Sequence, residues 1–94
     1  MTTVKLSIEG DRLVYDAKGH AGDPLVCSAI SMISGALAGW AANYGMDAKH
    51  SEEDGHVYVS FDISRESLSA FRVAEIGLLQ LEKIHSKELK VISE

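Results

Sequence analysis

The sequence predicts one α+β domain in which two helices pack on one face of a mainly antiparallel sheet. Two longer segments have apolar residues at helical spacing. Each is preceded by a pair of segments in which apolar and polar residues alternate, a pattern typical of half-buried strands. The chain has 94 residues, of which 46% are hydrophobic and 24% charged, which suits a single globular domain over residues 1–94. The expected element order is β-β-α-β-β-α-β in two layers.

Two β-hairpins are predicted, each from alternation on both sides of a turn signal. The first turn is Glu9-Gly10-Asp11, and the second lies within Glu52-Glu53-Asp54-Gly55, where Asp-Gly favours a tight turn. The alternating segments are 4–8, 13–17, 48–51 and 57–63.

The first helix is predicted over Pro24 to Tyr44. Asp23 is a candidate N-cap, and Pro24 suits the first helical position, where a missing N–H costs nothing. Apolar residues continue at helical spacing to Tyr44, and Gly45 suits the C-cap.

The second helix and the last strand complete the predicted sheet-and-helix order. Ser64 is followed by Glu66 and Ser67, a pattern typical of a helix start, and the apolar periodicity ends near residues 83–85. Apolar residues at 89, 91 and 92 then predict a final strand that closes the sheet.

The first helix contains no charged residue from Leu25 to Asn43. An uncharged helix is normally covered on both sides, and either the second helix or a second copy of the chain can supply that cover. A homodimer is therefore one of two compatible expectations. The small residues opposite the apolar stripe, called the small face below, are Ser28, Ser31, Gly35, Ala38, Gly39 and Ala42.

Composition argues against several functional classes. A net charge of −5 disfavours nucleic-acid binding, which needs a basic surface to neutralise phosphates. The longest apolar stretch, residues 25–42, is interrupted by serines and glycines, and the N-terminus lacks an export pattern, so no membrane span and a cytoplasmic location are expected. One cysteine with scattered histidines gives little support to a zinc site, and neither a metal nor another cofactor is expected.

His20 and Cys27 are the candidate catalytic pair. Cys27 is the only cysteine, which excludes an internal disulfide, and it lies in the first turn of the predicted helix after a loop containing glycines and Pro24. A thiol attacks as thiolate, which a helix N-terminus or an imidazolium favours, and free helix-start amides can bind an oxyanion. The alternatives are a small buried hydrophobe for Cys27 and an ordinary loop histidine for His20.

Neighbouring polar residues have structural as well as functional interpretations. Asp23 either caps the helix or orients His20, and its charge near Cys27 opposes thiolate formation. Ser31, with Ser28 and Ser34, is expected to be a packing residue of the small face. The acidic run at residues 52–54 is most simply a solvated turn.

The segment from Gly19 to Ser31 resembles the signature of the ribosomal-processing cysteine proteases (Prp). The matching residues are Gly19-His20-Ala21, Asp23 and Val26-Cys27-Ser28-Ala29-Ile30-Ser31. The similarity extends over nearly the whole chain, including Gly55-His56 at the start of a strand. It implies that His20 is the general base and Cys27 the nucleophile, while Ser31 matches the motif serine.

The resemblance also implies a substrate and an assembly. Members of this family are homodimers that remove an N-terminal extension from a large-subunit ribosomal protein, cutting after an aromatic, hydrophobic stretch. This chain departs from the pattern in two ways. The loop of six residues between His20 and Cys27 is shorter than usual, and Pro24 stands where the family has aspartate, with Asp23 one position earlier.

Three functional hypotheses follow. The first is a cytoplasmic cysteine endopeptidase that acts on the extension of a ribosomal protein. The second is a non-catalytic homodimeric peptide-binding module, in which the short loop holds His20 away from the thiol. The third is a cysteine hydrolase or a redox-sensitive thiol protein with a small substrate.

Overall fold

The computed structural model describes residues 1–94 and has the predicted order of elements. Its strands and helices are β1 (Thr2–Glu9), β2 (Arg12–Gly19), α1 (Pro24–Tyr44), β3 (Lys49–Glu53), β4 (His56–Asp62), α2 (Arg65–Ile84) and β5 (Leu89–Ser93). The α+β class is confirmed, and so are the bounds of α1. The second hairpin differs slightly, because its strands extend to Glu53 and His56 and leave only Asp54-Gly55 as the turn.

The five strands form one mixed sheet in the order β3-β4-β2-β1-β5. β1 pairs with β5 in parallel, and the other neighbours are antiparallel. The register places Leu6, Tyr15 and Val59 side by side across β1, β2 and β4, and all three are buried. Because side chains alternate along a strand, this row defines the face of the sheet that the core occupies.

The helices supply the other half of the core. α1 contributes Val26, Ile30 and Leu37 at helical spacing, and α2 contributes Phe71 and Leu78. Burying one stripe of an amphipathic helix against a sheet is the main source of its stability, since isolated helices are marginal in water.

The helix starts are fixed by side chains, as their sequences predict. Asp23 caps α1 by accepting a hydrogen bond from the backbone N–H of Leu25 at 2.9 Å. Ser64 caps α2 in a reciprocal capping box, in which Ser67 takes the place of the more usual glutamate.

One long side of α1 is covered within the chain, and another is not. α2 packs closely enough that a Cβ on Gly77 would lie 3.4 Å from Cδ1 of Ile33. Most of the small face is exposed, including Ser28, Gly35 and Gly39. The cover that α1 was expected to need is therefore supplied by α2 along one side only.

The length and composition of α1 also satisfy the requirement for a membrane span, which was not expected from its sequence. A core helix meets the same requirement. In this fold the apolar stripe of α1 packs against the sheet and α2.

Candidate active site

Cys27, His20 and Ser31 lie around one cavity of about 450 Å³. The cavity is bounded by the first half of α1, the end of β2 and the β3–β4 turn. The residues proposed for the dyad are only seven positions apart in the chain, but their common cavity depends on the β3–β4 hairpin, which forms its opposite wall.

Cys27 is the fourth residue of α1, half-buried, with a free thiol. Its backbone N–H donates to the carbonyl oxygen of Asp23 at 3.0 Å, and the Leu25 amide is taken by the Asp23 side chain. Pro24 has no N–H, so in the first turn of α1 the Val26 amide is the one left without a hydrogen-bond partner. The expected group of free helix-start amides is therefore reduced to a single donor.

The His20 imidazole lies over the β3–β4 turn. Its Nε2 is 3.6 Å from Oδ1 of Asp54, and a Cβ on Gly55 would lie only 2.8 Å from the same nitrogen. The structure has no hydrogen bond between His20 and Cys27, although the imidazole side chain is 62% exposed and can change rotamer. Asp23 acts as the helix cap, and the carboxylate beside His20 belongs to Asp54.

The loop between His20 and Cys27 is held at both ends by residues that are distant in sequence. The N–H of Gly19 donates to the carbonyl oxygen of Gly55 at 2.8 Å. The amides of Gly22 and Asp23 donate to Oε2 of Glu88 at 2.5 and 3.3 Å. Nothing in the sequence near Glu88 signals this contact, because it depends on where β5 enters the sheet.

The acidic run at residues 52–54, expected to be a solvated turn, is exposed and also lines the cavity. A second, shallower groove runs along the exposed side of α1, past Met32 and Ala36. Cys27, Ser31 and Gly35 border both depressions. The thiol is thus at the junction of a polar, acidic cavity and a groove of small and apolar side chains, a shape that an extended peptide can cross.

Ser34 holds α1 on the sheet near this cavity. It was expected on the small face, but its side chain is buried and its Oγ lies 2.5 Å from the hydroxyl oxygen of Tyr15. Burial raises the pKa of Tyr15, and the hydrogen bond with Ser34 only partly opposes that effect.

The remaining histidines do not form a metal centre. His56 Nε2 is 2.6 Å from Oδ1 of Asp16, and His50 Nε2 is 3.7 Å from a carboxylate oxygen of Glu52. No group of three or more histidine, cysteine or acidic side chains is arranged to hold a metal ion.

Comparison with solved structures identifies the fold. The chain aligns over its full length with the essential ribosomal processing protease Prp from Staphylococcus aureus in complex with a substrate peptide, at a TM-score of 0.82 and 13% identity with all of that chain covered. It shares the fold of this protease. The same protease with a covalently linked product peptide gives a TM-score of 0.79 at 14% identity, again with full coverage of both chains.

A third structure, SMU.848 from Streptococcus mutans, gives a TM-score of 0.71 at 20% identity and covers all of this chain and 96% of its own. No protein-family model matches the sequence, and the search of curated proteins found no match. The fold that the resemblance implied is confirmed by these structures.

Proposed function

We propose that this chain is a cysteine protease that removes the N-terminal extension of a large-subunit ribosomal protein. The observation that carries the proposal is the meeting of His20, Cys27 and Ser31 at one cavity, in a fold shared with a protease solved with substrate and product peptides. The residue pattern from Gly19 to Ser31 supports the same assignment.

In the proposed mechanism, His20 takes the proton from Sγ of Cys27, and the thiolate attacks the scissile carbonyl carbon. The C–N bond then breaks, and the imidazolium returns its proton to the leaving amine. Water, activated by His20, hydrolyses the thioester and regenerates the thiol. From its position at the edge of the cavity, the exposed His20 side chain has to come within hydrogen-bond reach of Cys27, and catalytic contacts of this kind often tighten only with substrate.

The two depressions that meet at Cys27 suggest how the peptide lies. The groove beside Met32 and Ala36 suits the hydrophobic, aromatic stretch before the cut. The residues after the cut would then enter the acidic cavity. The Val26 amide is the donor within the first turn of α1 that remains for the oxyanion of the tetrahedral intermediate.

Two further properties belong to the proposal. The part of the exposed small face that lies beyond the groove, at Gly39 and Ala42, is the surface through which we propose that two copies form a homodimer, since small residues permit close approach of two helices. The proposed location is the cytoplasm, a reducing compartment in which Cys27 stays free.

Cleavage of a peptide that copies the ribosomal extension tests the activity directly. The wild-type protein should cut once, after the aromatic stretch, and mass spectrometry of the products locates the bond. Cys27→Ala should bind the peptide without cutting it, and His20→Ala should be nearly as inactive, because dyad members act as a unit. Ser69→Ala, a change at an exposed serine of α2 that lines neither depression, is the control and should retain activity. Cleavage by Cys27→Ala would refute the mechanism.

A non-catalytic peptide-binding module is the second candidate, and the position of His20 favours it. The imidazole rests against Gly55 and Asp54 rather than on the thiol. If that is its working position, the wild-type protein should bind the peptide tightly and leave it intact. Alkylation of Cys27 by iodoacetamide near neutral pH should then proceed at the same rate in wild type and His20→Ala, whereas the protease hypothesis requires a slower rate in His20→Ala.

A further inference from the structure

The β3–β4 turn touches the candidate general base and its supporting backbone at three points. The carbonyl oxygen of Gly55 accepts the N–H of Gly19, the residue immediately before His20, at 2.8 Å. Oδ1 of Asp54 lies 3.6 Å from Nε2 of the imidazole. The α-carbon of Gly55 faces the ring closely enough that a Cβ there would lie 2.8 Å from Nε2 and 3.4 Å from Cδ2.

Two separate features favour glycine at position 55. Its φ of +76° lies in the left-handed region that L-residues rarely adopt. The second feature is the imidazole, because a methyl group would occupy the space that the ring fills. Gly10, in the β1–β2 turn, has the first feature without the second, since its φ is +65° and nothing lies within 4 Å of the place where a Cβ would be.

We propose that Gly55 is a positioning residue for His20. The bare α-carbon of the turn forms the surface against which the imidazole rests, and the hydrogen bond from Gly19 fixes the distance between that surface and the backbone at His20. The ring is thereby kept at the cavity that Cys27 lines instead of turning into solvent. This assignment rests on the proposed function, in which His20 is the base.

A side chain at position 55 should displace the ring before it distorts the turn. The imidazole is 62% exposed at the end of a flexible side chain, whereas the turn is held by pairing between Glu53 and His56 and by the bond to Gly19. Gly55→Ala should therefore leave the fold intact and move His20 away from its position.

The experiment compares Gly55→Ala with Gly10→Ala, which imposes the same kind of backbone strain far from the imidazole. Both variants should fold and lose a similar amount of thermal stability. Only Gly55→Ala should shift the His20 ring resonances in NMR spectra, and the wild type should show a nuclear Overhauser effect between the ring and the α-protons of Gly55. Because a misplacement of about 1 Å can cost about 10²-fold, kcat for peptide cleavage should fall by that order in Gly55→Ala, with KM little changed.

A double-mutant cycle separates positioning from general damage. Once His20 is alanine there is no ring to displace, so adding Gly55→Ala to His20→Ala should not slow the alkylation of Cys27 any further. An equal further loss in that background would overturn the proposal, and so would unchanged ring resonances in Gly55→Ala. If the ring moves in Gly55→Ala but His20→Ala still cleaves at the wild-type rate, the contact stands and the proposed dyad is refuted.

Discussion

The hydrogen bond between Tyr15 and Ser34 is expected to contribute strongly to stability, because it joins two buried side chains. Tyr15 is 0% exposed and Ser34 4% exposed, and their hydroxyl oxygens are 2.5 Å apart. Tyr15→Phe keeps the ring in the core and removes only the hydroxyl group. Oγ of Ser34 is then left buried without this partner.

The expected cost follows from that geometry. Leaving a buried polar group unsatisfied costs about 1–3 kcal/mol. In a domain of this size each kcal/mol lowers the melting temperature by about 4–8 °C, so Tyr15→Phe should lower it by roughly 4–24 °C. Ser34→Ala should cost a similar amount, because it leaves the Tyr15 hydroxyl unpaired. The double variant has no polar atom left in the pair and should be more stable than the sum of the two single losses predicts.

Urea denaturation followed by circular dichroism measures these differences as changes in the free energy of unfolding. Tyr44→Phe is the matched control, since Tyr44 is 75% exposed and the same atom is removed there in contact with water. Wild-type stability in Tyr15→Phe would refute the reasoning, as would strict additivity of the two single changes in the double variant.

Three more predictions follow from individual contacts. The raised pKa of Tyr15 means that the fold favours the neutral phenol. This contribution to stability is present below the ordinary pKa of 10.0 and is lost as pH rises through the raised pKa. At alkaline pH the free energy of unfolding should therefore fall less with rising pH in Tyr15→Phe than in wild type. Gly39→Glu should leave the folded chain intact, because nothing lies within 4 Å of a Cβ there. Sedimentation should show a dimer of the 10.2 kDa chain in wild type and a monomer in the variant, and a wild-type monomer would contradict the dimer. Glu88→Ala should speed hydrogen exchange at the amides of Gly22 and Asp23, with Glu94→Ala as a control, and unchanged exchange would show that the carboxylate does not hold the loop.

Local signals were sufficient to predict the elements of the fold. Asp23 with Pro24 marks the start of α1, and the structure has the helix over the predicted residues. The alternating segments became strands because residues two apart share a face, so a half-buried strand repeats its pattern locally. The extent of the second hairpin was less predictable, since Glu52 and Glu53 pair with β4 although their side chains suggest only a turn.

The proposed dyad could be identified in the same way, because His20 and Cys27 are close in the chain and lie in a recognisable pattern. The residues that surround the dyad could not be identified from the sequence. Asp23 was a reasonable candidate to orient His20, but the helix start uses its carboxylate, and Asp54 is the acidic side chain near the ring. The expected small-face position of Ser34 is wrong, because it lies four residues after Ile30 and three before Leu37 and so shares their buried face. Only the tertiary structure supplies Tyr15 as its hydrogen-bond partner.

The order of strands and helices, the caps of α1 and the position of Cys27 in its first turn can be predicted from the sequence alone, because they depend on interactions among residues a few positions apart. The long-range pairing of strands is what brings Gly55 and Asp54 to His20 and Glu88 to the loop, and the folded arrangement leaves one side of α1 open. Those contacts join residues more than thirty positions apart, and they arise from how β4 and β5 pair within the sheet, which no local pattern encodes.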